Sequence, residues 1–177
     1  MSVKLKEIDK IEILTLQDNY VDVAAFDGTE IVQRALPVKD MEIKNSILAE
    51  HGFSAIVTIT VDEMPRSLLF DFGFSEHGAA YNADALDLDL TAVEAMVLSH
   101  GHMDHFGGLE QLAERIGKEG IELVVHPTAF RTSRYIKVTE EFKIGLPALK
   151  RERFESAGIS LVESEVPRML LDDSVLF

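Results

Sequence analysis

The run Ala95-Met96-Val97-Leu98 is apolar without alternation, the pattern of a short strand buried on both faces. Downstream, Leu109, Leu112, Ala113 and Ile116 recur at helical spacing with Glu110, Glu114 and Lys118 between them. That periodicity predicts an amphipathic helix starting near Asp104 or His105 and stopping around residues 117–120. Positions 11–16 alternate as a strand with one side buried, and Asp18-Asn19 supplies the turn after it. Residues 53–61 and 67–70, rich in Ile, Val, Thr and Leu, predict a hairpin across a turn at 62–66 that ends in Asp71-Phe72-Gly73. Ala79, Ala80, Ala83 and Leu86 predict a helix within 76–86, and 90–94 reads as a connecting turn. A strand at 121–125 is stopped by His126-Pro127, a short helix at 150–157 is closed by Gly158, and a strand follows at 159–162. Residues 169–177 read as two strand segments around a turn. Only 21–44 lacks a pattern: Asp27-Gly28 breaks it, Leu36-Pro37 opposes a central strand or helix interior, and the stretch is read as irregular.

These elements fit one mixed α/β domain, and a chain of 177 residues with 46% hydrophobic and 27% charged residues can bury its core. No apolar run approaches the roughly 18 residues needed to span a bilayer. The start, Met1-Ser2-Val3-Lys4-Leu5-Lys6, lacks the apolar segment of a signal peptide, so a cytoplasmic location is expected. With 31 acidic against 17 basic residues the net charge is −14, a field that repels nucleic acid. A small anionic substrate stays compatible, because cations inside a cleft can invert the local potential. The absence of cysteine excludes disulfides and thiolate ligands, leaving nitrogen and oxygen donors for any metal.

Such donors are concentrated in His100-Gly101-His102-Met103-Asp104-His105. Three imidazoles and a carboxylate within six positions, framed by a buried strand and a helix, suit a borderline divalent cation such as zinc. A chance cluster on a solvated loop would lack that framing. Two cations held there would lower the pKa of a bound water, leaving ester, lactone, thioester and phosphodiester cleavage all open. Asp104 is the candidate catalytic residue as well as a ligand. Asp71 is a candidate hydrogen-bond partner of a ligand histidine, with a turn aspartate as the competing reading. Arg131, Arg134 and Lys137 form one basic patch that could grip a phosphate or carboxylate, although a solvated surface helix explains it more simply. His51 could approach the site but fits a turn position better, and His77 and His126 receive no role.

The residues His100, His102, Asp104 and His105 stand in the His-x-His-x-Asp-His pattern of the metallo-β-lactamase superfamily, which the preceding strand and the Gly107-Gly108 helix entry also resemble. Ala49-Glu50-His51-Gly52-Phe53-Ser54, Leu69-Phe70-Asp71-Phe72-Gly73, Tyr81-Asn82-Ala83 and Val97-Leu98-Ser99-His100 look like the branch containing the dihydropterin synthase of methanopterin biosynthesis. The resemblance implies an αββα sandwich, with His100 and His102 on one zinc and Asp104 and His105 on a second, manganese or iron being alternatives. A histidine at 102 departs from the di-iron oxidoreductase variant, which carries glutamate there. The family completes its site with later ligands, another histidine, a bridging carboxylate and a late histidine, that have no counterpart before Phe177. The expectation is therefore the N-terminal half of such a domain, truncated at its C-terminus and inactive in isolation. It would be a metal-dependent hydrolase or a condensing enzyme on the same site, or else a non-catalytic half completed by a second copy or a complementary C-terminal half.

Overall fold

The unalternating run ending at Leu98 forms the inner strand that its pattern predicts, with every residue from 95 to 98 buried. The computed structural model describes residues 3–25, 27–43 and 45–177; Met1, Ser2, Phe26 and Lys44 lie outside the described residues, including those that fall in the irregular stretch 21–44. In chain order the strands are β1 (Lys10–Gln17), β2 (Val38–Lys39), β3 (Glu42–Ile43), β4 (Ser54–Val61), β5 (Met64–Phe70), β6 (Val93–Leu98), β7 (Ile121–Val125), β8 (Tyr135–Lys137), β9 (Lys143–Gly145), β10 (Ile159–Glu163), β11 (Met169–Leu170) and β12 (Val175–Leu176). The helices are α1 (Gly78–Ala85), α2 (Met103–Phe106), α3 (Leu109–Ile116) and α4 (Glu152–Ser156), with 3₁₀ turns at Leu90–Ala92 and Pro127–Phe130.

Among the described residues one sheet runs in the order β1-β4-β5-β6-β7-β10, and β2-β3, β8-β9 and β11-β12 are separate two-stranded ladders. The pairs β1-β4 and β4-β5 are antiparallel, whereas β5, β6, β7 and β10 are mutually parallel. The carboxyl ends of β1, β5, β6 and β7 and the amino end of β4 therefore meet along one sheet edge, where ligands bind in open α/β sheets.

Alternation divides each strand between two cores. Leu16, Leu69, Met96, Leu98, Leu123 and Val125 pack with Ala79, Ala80, Ala83, Leu109, Leu112, Ile116 and Phe154 from the helices. On the opposite face Ile59, Leu68, Ala95, Val97 and Val124 are covered by Leu170 and Leu171, with Val175 and Phe177 against them. The one-sided burial expected of β1 holds only at its end. Ile11 and Ile13, on the edge strand, stay 55% and 63% exposed because no described element packs over them.

Several elements differ from the sequence reading: within the stretch 21–44 read as irregular, Val38–Lys39 and Glu42–Ile43 pair as an antiparallel ladder, and β6 begins at Val93, inside the expected turn at 90–94. The helix expected from Asp104 onward is broken, because the Gly107 and Gly108 amides donate to the Gly73 and Phe72 carbonyls at 2.8 and 3.0 Å instead of continuing the α2 ladder. The hairpin turn is Asp62-Glu63 alone, with φ of 51° and 65°; two positive-φ residues match the twist of the flanking strands, so Pro65 and Arg66 remain within β5. No helix among the described residues is long and apolar enough to cross a membrane.

Candidate metal centre

Asp71 follows β5 at the sheet edge, 1% exposed, in a positive-φ conformation that aspartate tolerates. Its Oδ1 accepts from the Ser99 amide at 2.8 Å, and its Oδ2 accepts from Ser99 Oγ and His105 Nδ1 at 2.7 Å each. A carboxylate only accepts, so His105 carries its proton on Nδ1 and turns Nε2 outward. The bond to Asp71 raises the His105 pKa above the ordinary histidine value, against the opposing effect of burial. A cation taken up at Nε2 has to compete with the second proton, the one that would bind there and make the ring an imidazolium.

The same carboxylate acts further along the loop. Ser99 spends its only hydroxyl proton on Asp71, so at 2.9 Å it accepts from His100 Nδ1. His100 Nε2 is then the lone-pair nitrogen, 3.0 Å from His102 Nδ1. Burial, then the neighbouring His105 and His102, lowers the His100 pKa and keeps that lone pair available. Gly101 between His100 and His102 is required by space, since a Cβ would meet the backbone carbonyl of Ala129.

Asp104 lies in the first turn of α2, with its Oδ2 3.5 Å from His105 Nε2 and 3.3 Å from His51 Nε2. His51 is thus brought to the site, contrary to its reading as a plain turn residue. The loop before β4 is locked against the segment that carries Asp104: the Phe53 amide donates to the Asp104 carbonyl at 3.2 Å and the Gly73 amide to the Phe53 carbonyl at 2.9 Å. Gly52 has φ of +119°, and a Cβ there would run into the same Asp104 carbonyl. Glu50 stiffens this loop, accepting from the Ser75 hydroxyl at 2.8 Å and the Ser75 amide at 3.1 Å. Ser99, Glu50 and the pairing of His51 with Asn19 were missed in the sequence. Short polar residues carry no periodic signal, and their partners are tens of residues away.

The basic trio does not converge. Residues 131–145 form no surface helix but lead into the β8-β9 hairpin. Arg134 folds onto the carbonyls of Ala129 and Arg131 at 3.0 and 3.2 Å, Lys137 pairs with Glu140 at 2.6 Å, and Arg131 is exposed. His126 caps the following 3₁₀ turn, its Nδ1 accepting from the Thr128 amide at 3.2 Å.

In donor type, imidazole and carboxylate without thiolate, the cluster fits a borderline divalent cation. In geometry it consists of convergent pairs, and among the described residues no three or more such side chains already surround a common point that could hold a metal ion.

With this geometry in hand, comparison with known proteins is specific. The family model described as Metallo-beta-lactamase superfamily matches residues 55–173. The 7,8-dihydropterin-6-methyl-4-(beta-D-ribofuranosyl)-aminobenzene-5'-phosphate synthase of Methanocaldococcus jannaschii is 24% identical over 173 residues, covering 97% of this chain and 51% of its own length. An uncharacterized protein of the same organism is 33% identical over 99 residues, covering 54% of this chain and 36% of its own. The chain thus spans about half or less of the length of these relatives. Among solved structures, metallo-beta-lactamase SMB-1 with mercaptoacetic acid aligns over 69% of this chain and 44% of its own at 21% identity and a TM-score of 0.39.

Proposed function

Because the chain belongs to the metallo-beta-lactamase superfamily, we propose that it carries the ligand-bearing half of a metal-dependent hydrolase. The substrate is a small molecule of the ester, lactone or phosphoester type, with anionic character. The observation that carries this reading is Asp71, which from one buried position fixes the proton of His105 directly and of His100 through Ser99. Orientation of ligand imidazoles by a buried carboxylate is what a metal centre needs, and a structural loop has no use for it.

His100 and His102 would hold one cation and Asp104 and His105 the other, with zinc the proposed metal and manganese or iron able to use the same donors. The cation supplies Lewis-acid polarisation and activation of water. Asp104 is the proposed catalytic residue, a half-buried carboxylate placed to accept a proton beside His105. The exposed Arg131 is the member of the basic trio best placed to meet an anionic group, since Arg134 and Lys137 are engaged. We place the activity in the cytoplasm. A second copy or a complementary polypeptide is the proposed partner, its role being to add donors to side chains that stand as pairs.

A condensing enzyme of pterin metabolism on the same centre is the second reading, favoured by the 97% of this chain that aligns with the printed synthase. The test common to both is metal content of the full chain after loading with zinc, beside a His102→Ala variant. The variant is expected to lose most of the bound zinc, and equal metal content and activity in the two proteins would overturn the proposal.

A further inference from the structure

We propose that His51 is a third protein ligand of the cation held by Asp104 and His105, supplied from the loop before β4. The inference rests on the metal reading above and deepens it.

Two imidazoles face Asp104 in the same way. His105 has Nδ1 bonded to an acceptor, Asp71 Oδ2 at 2.7 Å, and Nε2 3.5 Å from Asp104 Oδ2. His51 has Nδ1 3.0 Å from Asn19 Oδ1 and Nε2 3.3 Å from the same Asp104 oxygen. Asn19 turns its amide nitrogen to Asp18 Oδ1 at 3.5 Å, which leaves its carbonyl oxygen for the histidine. A carbonyl oxygen only accepts, so the His51 proton sits on Nδ1 and Nε2 presents a lone pair. A ring nitrogen hydrogen-bonded to an oxygen acceptor, with the other nitrogen directed at a carboxylate, is the usual arrangement of a metal-ligating histidine.

The spacing agrees. Donors around a tetrahedral zinc with bonds of about 2.0–2.2 Å lie roughly 3.3–3.6 Å apart. The two nitrogen-to-oxygen separations at Asp104 fall in that range or at its edge. Without a cation, lone pairs on both imidazoles face a carboxylate that offers no proton, an arrangement that a positive charge relieves.

The position of His51 is built in. Asn19 follows β1, His51 precedes β4 and the ligand loop follows β6, all at one sheet edge. Gly52 and the Phe53 amide tie the loop to the Asp104 carbonyl, and the Phe74 ring stands edge-on to the imidazole with centroids 6.3 Å apart. The side chain itself is 73% exposed, so it can move the small distance needed to close on a cation, and its replacement costs the fold little.

Zinc titration calorimetry and cobalt(II) absorption on the full chain, wild type against His51→Ala and His51→Gln, test this. Both variants are expected to bind zinc about tenfold or more weakly, and to change the intensity of the cobalt d–d bands. In the Asp104→Ala background, removing His51 is expected to weaken the residual zinc binding further, whereas no further loss there would mean that His51 acts only through its bond to Asp104 and would overturn the inference. Cobalt-shifted proton NMR is expected to show one fewer ring N–H signal in His51→Ala. If wild type and His51→Ala bind zinc equally and give the same cobalt spectrum, His51 merely hydrogen-bonds Asp104 and the inference is overturned alone. A wild-type chain that takes up neither metal overturns the inference and the metal reading together.

Discussion

Asp71→Asn is the sharpest single perturbation of the centre, because it keeps the shape of a buried side chain and removes only its charge and half its accepting capacity. The carboxylate takes three hydrogen bonds, from the Ser99 amide, the Ser99 hydroxyl and His105 Nδ1. An asparagine has one oxygen and one NH₂ to serve them. With its oxygen toward the Ser99 amide, the hydroxyl can reverse and accept from NH₂, but His105 Nδ1–H then meets a donor. With its oxygen toward His105, the Ser99 backbone amide loses its partner, and that amide cannot reverse. The first arrangement is the cheaper one, since the His105 proton can migrate to Nε2. It forfeits one charge-assisted bond, about 1.5–3 kcal/mol, so the metal-free variant is expected to lose about 2–3 kcal/mol of stability in urea denaturation. Moving the proton to Nε2 also removes the lone pair that faces the cation, and zinc affinity is expected to fall roughly 10- to 100-fold by calorimetry. Nitrogen NMR of the imidazole follows the tautomer directly. If Asp71→Asn keeps its proton on Nδ1 and its wild-type zinc affinity, the orientation argument for this centre is wrong.

Gly52→Ala is expected to destabilise the chain by about 2–4 kcal/mol. A positive-φ alanine costs on the order of 1–3 kcal/mol, and the displaced Asp104 carbonyl gives up its bond from Phe53, about 1 kcal/mol more. Zinc affinity should fall with it, and a loss of stability under about 1 kcal/mol by urea denaturation would contradict the packing of that loop on the ligands. A third prediction concerns acid stability. Arg115 grips Asp84 with bonds of 2.9 and 2.8 Å, tying α3 to α1, and holds the Asp84 pKa below its ordinary value. A depressed carboxylate stabilises the fold above its unfolded pKa of about 3.9, and that contribution is lost as pH falls through the lower folded value. Asp84→Asn should therefore flatten the acid limb of the melting temperature against pH below about pH 4, and should lower neutral stability by no more than the ~0.2–1 kcal/mol of an exposed pair. An unchanged acid limb would show that the pair carries no linkage.

What could be read from the sequence follows from which forces are local. β6 was legible because burial on both faces leaves no polar position in Ala95-Met96-Val97-Leu98, and α3 because Leu109, Leu112 and Ile116 share one helical face. The proposed donor set of His100, His102, Asp104 and His105 could be named from spacing alone because its four side chains lie within one loop. The break at Gly107-Gly108 could not, since it is caused by carbonyls of Phe72 and Gly73, about 35 residues earlier in the chain. The basic trio misled for a related reason: positive charge was visible, but the carbonyls and the carboxylate that absorb Arg134 and Lys137 depend on the path of the turn and hairpin.

His51 marks the boundary most clearly. None of the proposed ligands lies within ten residues of it in sequence, and it meets Asp104 only because antiparallel pairing puts the start of β4 beside the end of β6's neighbour β5. The same topology brings Asn19 from the end of β1 to fix its ring. A donor set drawn from one loop can be found by spacing, whereas a donor delivered by sheet order requires the register of three strands. That asymmetry argues for looking for the other donors of such a centre first along this sheet edge, where β1, β4, β5, β6 and β7 deliver their ends. There, side chains far apart in the chain are held within a few ångström by the same hydrogen bonds that hold the fold.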